Sequence, residues 1–259
     1  MTRIPLRSVL LAVIALWLLA GNVLAQEDTA ADLARDAVAA YEGDDFEAAA
    51  ELFEAAIEAG AMGPALYFNL GNAYFETGQL GLAMLNYRRA ARWAPRDDDV
   101  RANLALMRAL RVDFQGDERA IIDRLATLGA GTMTRTEQVA VTLVVWSLWF
   151  GFVAVWAVGW LPRRREVHIA LAGSAVVVMV VVLALASRLY AEAERPSAVV
   201  LPNVVSVYSG PGANYLEIYR LHAAAEVRLL EAQDGWTRFV LPDGRQGWIA
   251  MDAVERVDR

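Results

Sequence analysis

Apolar residues follow three different rhythms along this chain. From residue 28 to 112 they recur at helical spacing among alanine and glutamate, as in "FEAAAELFEAAIEAG" and "PALYFNLGNAYFETGQLGLAMLNYRRAARWAP". Positions three and four apart share one face of a helix, so this stretch predicts amphipathic helices packed on one another. From 139 to 161 and from 167 to 186 the polar face disappears. From 196 to 258 the runs become short and alternating: Val205 and Val207, then Val227 and Leu229, are separated by polar residues. They are bounded by Ser209-Gly210-Pro211-Gly212 and Asp243-Gly244. Such alternation predicts about five half-buried strands, and the Asp-Gly pair predicts a hairpin.

The two unbroken runs decide the class. Residues 139–161 hold 23 positions without a charge. As a helix they cover about 35 Å, enough for a hydrocarbon core of about 30 Å. Trp146, Trp149, Trp156 and Trp160 lie in this run, and those near its C-terminal end suit an interfacial aromatic belt. Thr134 and Glu137 stand at capping-box spacing just before it. The second run, 167–186, contains "VVVMVVVLALA" and is closed by Arg188. A core helix or a buried strand accounts for one such run; two back to back predict two transmembrane helices. A third apolar stretch opens the chain, "MTRIPLRSVLLAVIALWLLAGNVLAQEDT". Arg3 and Arg7, the core Val9 to Ala20, and Val23-Leu24-Ala25 read as a signal peptide over 1–25, cut before Gln26. The other reading is an uncleaved anchor; under either, the chain beyond it is exported.

Between the two spans lies only the turn 162–166, carrying Arg163, Arg164 and Arg165. So short a link makes the spans antiparallel, and a short arginine-rich loop stays cytoplasmic. These arginines are the expected topology determinants. Residues 26–137 and 187–259 then lie together on the outer side, the orientation that the signal sequence predicts separately.

Within 28–112 the pattern repeats with a period of 34: Ala49, Phe53 and Ala56 return as Ala83, Tyr87 and Ala90. Tyr67, Leu70, Gly71, Tyr74, Ala83, Tyr87, Ala90 and Pro95 resemble the tetratricopeptide repeat in type and spacing. Small residues at Gly71, Ala83 and Ala90 permit close helix approach, Gly78 supplies the turn and Pro95 ends the second helix. In the first copy Asp36 and Ala37 stand for the Leu-Gly pair, and "DDDVRANLALMRALRV" reads as a capping helix. The resemblance implies a peptide-binding groove showing Tyr41, Phe68, Asn72, Phe75 and Asn103. The basic residues of a carboxylate clamp are missing, since Ala65, Phe68 and Ala102 hold those places. Residues 26–137 carry 20 acidic and 11 basic side chains, which favours a partner of basic character.

Composition removes most other chemistry. The net charge of −7 argues against nucleic acid, which requires a basic face. No cysteine is present, so disulfides, thiolate nucleophiles and a lipid-bearing cysteine are excluded. All 24 basic residues are arginine, which removes Schiff-base chemistry, and two histidines do not make a histidine-rich metal site. No nucleophile–base pair and no phosphate-cradling loop is legible. The expectation is a protein without catalytic residues, metal or cofactor.

Residues 113–138 read as an interfacial linker, amphipathic through Ile121, Ile122, Leu125 and Leu128. Beyond them, "VSVYSGPGANYLEIYRL" and "GWTRFVLPDGRQGWI" resemble a bacterial SH3-like domain over 196–258. Tyr208 departs from the usual arginine, and Ala223-Ala224-Ala225 lacks the usual glycine. Trp236 and Trp248 are expected in its core rather than on a ligand platform. The expected fold class is therefore a multidomain membrane protein: an all-α tetratricopeptide-repeat array, a two-helix transmembrane hairpin and a small all-β SH3-like barrel. That order of modules resembles BatE-type proteins of bacterial aerotolerance (Bat) operons. The resemblance implies a periplasm-facing scaffold in the bacterial inner membrane. Its implied partners are von Willebrand A-domain membrane proteins associated with a MoxR-type ATPase, and its implied role is stress tolerance or envelope homeostasis. The alternative is an adaptor that binds peptidoglycan or another cell wall component and recruits a cell-wall enzyme.

Overall fold

The computed structural model describes residues 29–113, 132–162, 164–194 and 196–258. The expected signal peptide, Arg163 and most of the 113–138 linker lie outside them. The chain divides into two compact units that meet in sequence between Gln79 and Leu80.

Among the described residues, the first unit contains three helices: α1 (29–42), α2 (Phe46–Glu58) and α3 (Pro64–Glu76). Asp45 caps α2 by accepting a hydrogen bond from the Ala48 N–H at 3.2 Å. Pro64 opens α3, where its fixed φ suits a helix and its missing N–H costs nothing. Ala49, Ala50, Phe53 and Ala56 of α2 are buried, as are Leu70, Gly71, Ala73 and Tyr74 of α3. The alanines and Gly71 among them let the helices approach closely, and the Tyr74 hydroxyl donates to Glu54 across the pair. α1 and α3 end alike. Asp44 (φ 61°) and Gly78 (φ 73°) take the left-handed conformation, and the next N–H reaches back to Ala40 or Tyr74.

The second unit begins with α4 (Leu80–Trp93) and α5 (Asp98–Leu110), which pack together; Ala83 and Tyr87 on the first and Val100, Leu104 and Met107 on the second are buried. Helix bounds keep the period of 34: α2 and α4 start at Phe46 and Leu80, and Pro64–Glu76 recurs as Asp98–Leu110. The Ala, Phe/Tyr, Ala triplets that the period relates are all buried.

Two long helices follow, α6 (Arg135–Ala157) and α7 (Arg165–Glu194), packed side by side. Both are long and apolar enough to cross a membrane. Only 6% and 0% of their apolar windows are buried, whereas a soluble core helix would be mostly covered. Their limits differ from the apolar runs 139–161 and 167–186. The Thr134–Glu137 capping box starts α6 before its charge-free stretch, and Gly159 follows its end. The expected 162–166 turn shifts too, because Arg165 is already helical, and α7 continues beyond Ala186 to Glu194. There Arg188 is buried, donating to Gln138 Oε1 at 2.8 Å, the Met133 carbonyl at 3.2 Å and Glu192 Oε1 at 3.0 Å.

The chain ends in one antiparallel sheet of seven strands rather than five, ordered β3-β2-β6-β5-β4-β1-β7. They are β1 (Ser197–Val200), β2 (Val204–Tyr208), β3 (Glu217–His222), β4 (Glu226–Gln233), β5 (Trp236–Val240), β6 (Gln246–Ala250) and β7 (Val254–Arg256). The sheet core gathers Val200, Val207, Leu221, Val227, Phe239 and Ile249. Asp234-Gly235 (φ 50° and 81°) forms the two-residue turn between β4 and β5, both residues left-handed as a type I′ hairpin requires. Asp243-Gly244 also lies in a hairpin, but in a three-residue loop closed by Leu241 N–H to the Arg245 carbonyl at 2.8 Å.

Candidate functional site

Phe68, Asn72 and Phe75 lie on α3 at spacings of four and three, so they form one stripe of that helix, each half-buried. Subtracting the period gives Ala34, Val38 and Tyr41 on α1, so Tyr41 and Phe75 are equivalent positions. Ala34 and Val38 were missed by the sequence reading, although the same arithmetic finds them. Asn103 lies on α5 in the other unit and corresponds to Asn69, one position away from the stripe. The Tyr41 ring meets Phe46 edge-on, with centroids 5.1 Å apart. Burial, then the nearby carboxylates Glu76 and Asp44, raise the pKa of its hydroxyl.

Within the second unit, helices α4 and α5 are fastened to the sheet. Gly81 lies against the Val200–Leu201 backbone, where a Cβ would be 2.7 Å from the Val200 carbonyl oxygen. Glu226 on β4 accepts hydrogen bonds from Arg88 at 2.8 Å, Arg108 at 3.0 and 3.1 Å, and Arg111 at 3.2 Å. Burial pushes the Glu226 carboxyl up, but the three guanidinium groups outweigh it and hold the pKa at about 2. Arg89 donates to Glu255 at 2.6 Å, and Asp113 accepts the His222 N–H at 2.7 Å. None of these links was predicted from sequence: the partners are 109 to 166 positions apart, beyond the reach of local spacing.

Trp236 and Trp248 are not in the sheet core, which corrects the expectation. They alternate with buried Thr237 and Phe239 on β5 and with Gly247 and Ile249 on β6, so they point to the opposite face. Tyr208 joins them there, paired with Trp248 across the strands and 5.4 Å from the Trp236 ring. Of the three loop arginines, Arg163 lies outside the described residues, Arg164 accepts a hydrogen bond at its carbonyl from His168 Nδ1 (2.9 Å), and Arg165 begins α7. Among the described residues, no group of three or more metal-ligating side chains comes together.

Residues 64–97 match the tetratricopeptide repeat family. The repeat is a protein–protein interaction module, and the matched segment contains the Phe68, Asn72 and Phe75 stripe. No curated protein matches the chain.

Proposed function

We propose that this protein is a membrane-anchored scaffold whose tetratricopeptide-like helices and SH3-like sheet domain face the periplasm from the bacterial inner membrane. It works by binding rather than catalysis, in a Bat-like complex with von Willebrand A-domain membrane proteins. The observation that carries this reading is the repeat at 64–97 joined, through two apolar helices, to a sheet that returns to contact α4 and α5. Contacts between segments on either side of a helical hairpin require both segments on one side of any membrane that the hairpin crosses.

A crosslinked pull-down of the tagged full-length protein in mild detergent tests it. Recovery of von Willebrand-type membrane proteins, lost in Phe68→Ala and Asn72→Ala variants, is the expected result. Recovery of cell-wall enzymes or glycan instead moves the function to the envelope adaptor. The outward aromatic group of Tyr208, Trp236 and Trp248 favours that second reading, because such rings offer an apolar platform.

A further inference from the structure

The six residues on the α1 and α3 stripes share a property that narrows the partner. We propose that Ala34, Val38 and Tyr41 on α1, with Phe68, Asn72 and Phe75 on α3, bind the apolar side of a basic amphipathic helix. This rests on the reading of the repeats as the binding surface and names the ligand class they take.

None of the six carries a charge. Val38 is 37% exposed and the others are half-buried, so the stripes offer apolar and aromatic surface rather than ion pairs. With no cation among them, they have nothing to hold a terminal carboxylate or an acidic peptide. Around them the charge is one-sided. Residues 29–79 contain ten carboxylates, all exposed, and a single arginine, Arg35, which pairs with Asp32. Glu42, Asp44 and Glu76 cluster near the ends of the two helices, where Tyr41 senses the last two. A ligand seated on the stripes therefore has its flanks in a negative potential, which draws arginine and lysine and repels acidic side chains. The hydrogen-bonding side chains on the stripes are only Asn72 and Tyr41, too few to satisfy the backbone of an extended peptide. A helix satisfies its own backbone and needs only an apolar face to dock.

The test uses the full-length protein in nanodiscs of neutral lipid, with empty nanodiscs as control, and two fluorescent synthetic helices read by anisotropy. One is built of leucine, alanine and arginine, the other with glutamate in place of arginine. The arginine helix is expected to bind at least about tenfold more tightly at low salt, with the advantage shrinking as salt rises. Val38→Arg, at an exposed position, should weaken it strongly, and Glu51→Arg, on exposed α2 surface off the stripes, much less. Equal weakening by both variants would show diffuse attraction and overturn the assignment of the stripes. If the glutamate helix binds as tightly, and Val38→Arg abolishes both, the basic ligand class is wrong while the binding surface stands. If neither helix binds, the binding-surface reading falls as well.

Discussion

Gly81 on α4 lies so close to Leu201 that a Cβ on the glycine would be 2.6 Å from the Leu201 Cα. The obstacle is backbone, which cannot rotate aside as a side chain can. Alanine favours a helix over glycine by about 1 kcal/mol, but overpacking of this kind costs about 1–3 kcal/mol. Gly81→Ala is therefore expected to lower stability, by up to about 2 kcal/mol, in urea unfolding of the solubilised protein. One period earlier stands Glu47, which is exposed. Glu47→Ala should be near neutral, and an equal loss from both variants would refute the close-packing account.

Glu226 should make stability depend on acid pH. Its folded pKa of about 2 lies below the ordinary 4.5, so the charged form is favoured by folding. That contribution, about 3 kcal/mol by linkage, is fully present above pH 4.5 and disappears as pH falls towards 2. Glu226→Gln should lower neutral-pH stability by about 3 kcal/mol, since three guanidinium groups lose their carboxylate. It should also flatten the pH profile between 4.5 and 2. Tryptophan fluorescence during unfolding reads both, and an unchanged profile in the variant would assign the acid sensitivity to other groups.

What was legible in the sequence was what local spacing encodes. The period of 34, the buried Ala83, Tyr87 and Ala90, and the two apolar helices all depend on residues a few positions apart. Long-range pairing was not legible. Asp234-Gly235 and Asp243-Gly244 are the same dipeptide, yet only the first forms a two-residue turn, because strand register fixes loop length. Trp236 and Trp248 were expected inside because they are large and apolar. Their place follows instead from alternation with Phe239 and Ile249, which fill the core first. Ala224 shows the same limit: it takes φ 65° without being glycine, fully buried and with its N–H bonded to the Val200 carbonyl at 3.0 Å.

Asp44 and Gly78 occupy the same left-handed position one repeat apart, but only one of them is glycine. A residue with a Cβ is strained there by about 1–2 kcal/mol, less for aspartate than for most. Asp44 is exposed, and the side chain that caps α2 is Asp45, so little packing is lost on its removal. Asp44→Gly should raise stability by about 0.5–1 kcal/mol, and Gly78→Asp should lower it by a similar amount. Differential scanning calorimetry checks the pair; a destabilised Asp44→Gly would mean that the side chain has a role beyond its backbone.

The contacts that fasten the sheet put both soluble segments on one side of any membrane that the α6–α7 hairpin crosses. Asp113 accepts from the His222 N–H, and Arg111 reaches Glu226, although α6 and α7 intervene in sequence. An odd number of crossings between these partners would place them on opposite sides of the bilayer and break every one of the links. Two crossings keep them together and leave Arg164 and Arg165, at the start of α7, on the far side. A periplasm-active reporter fused after Arg259 should then be active, and one inserted at Arg164 inactive, since arginine-rich loops are retained in the cytoplasm. The reverse pattern would put both soluble segments in the cytoplasm and discard the periplasmic scaffold. Activity at both sites would mean that the hairpin does not span, and that its outward apolar surface is covered by something other than a bilayer.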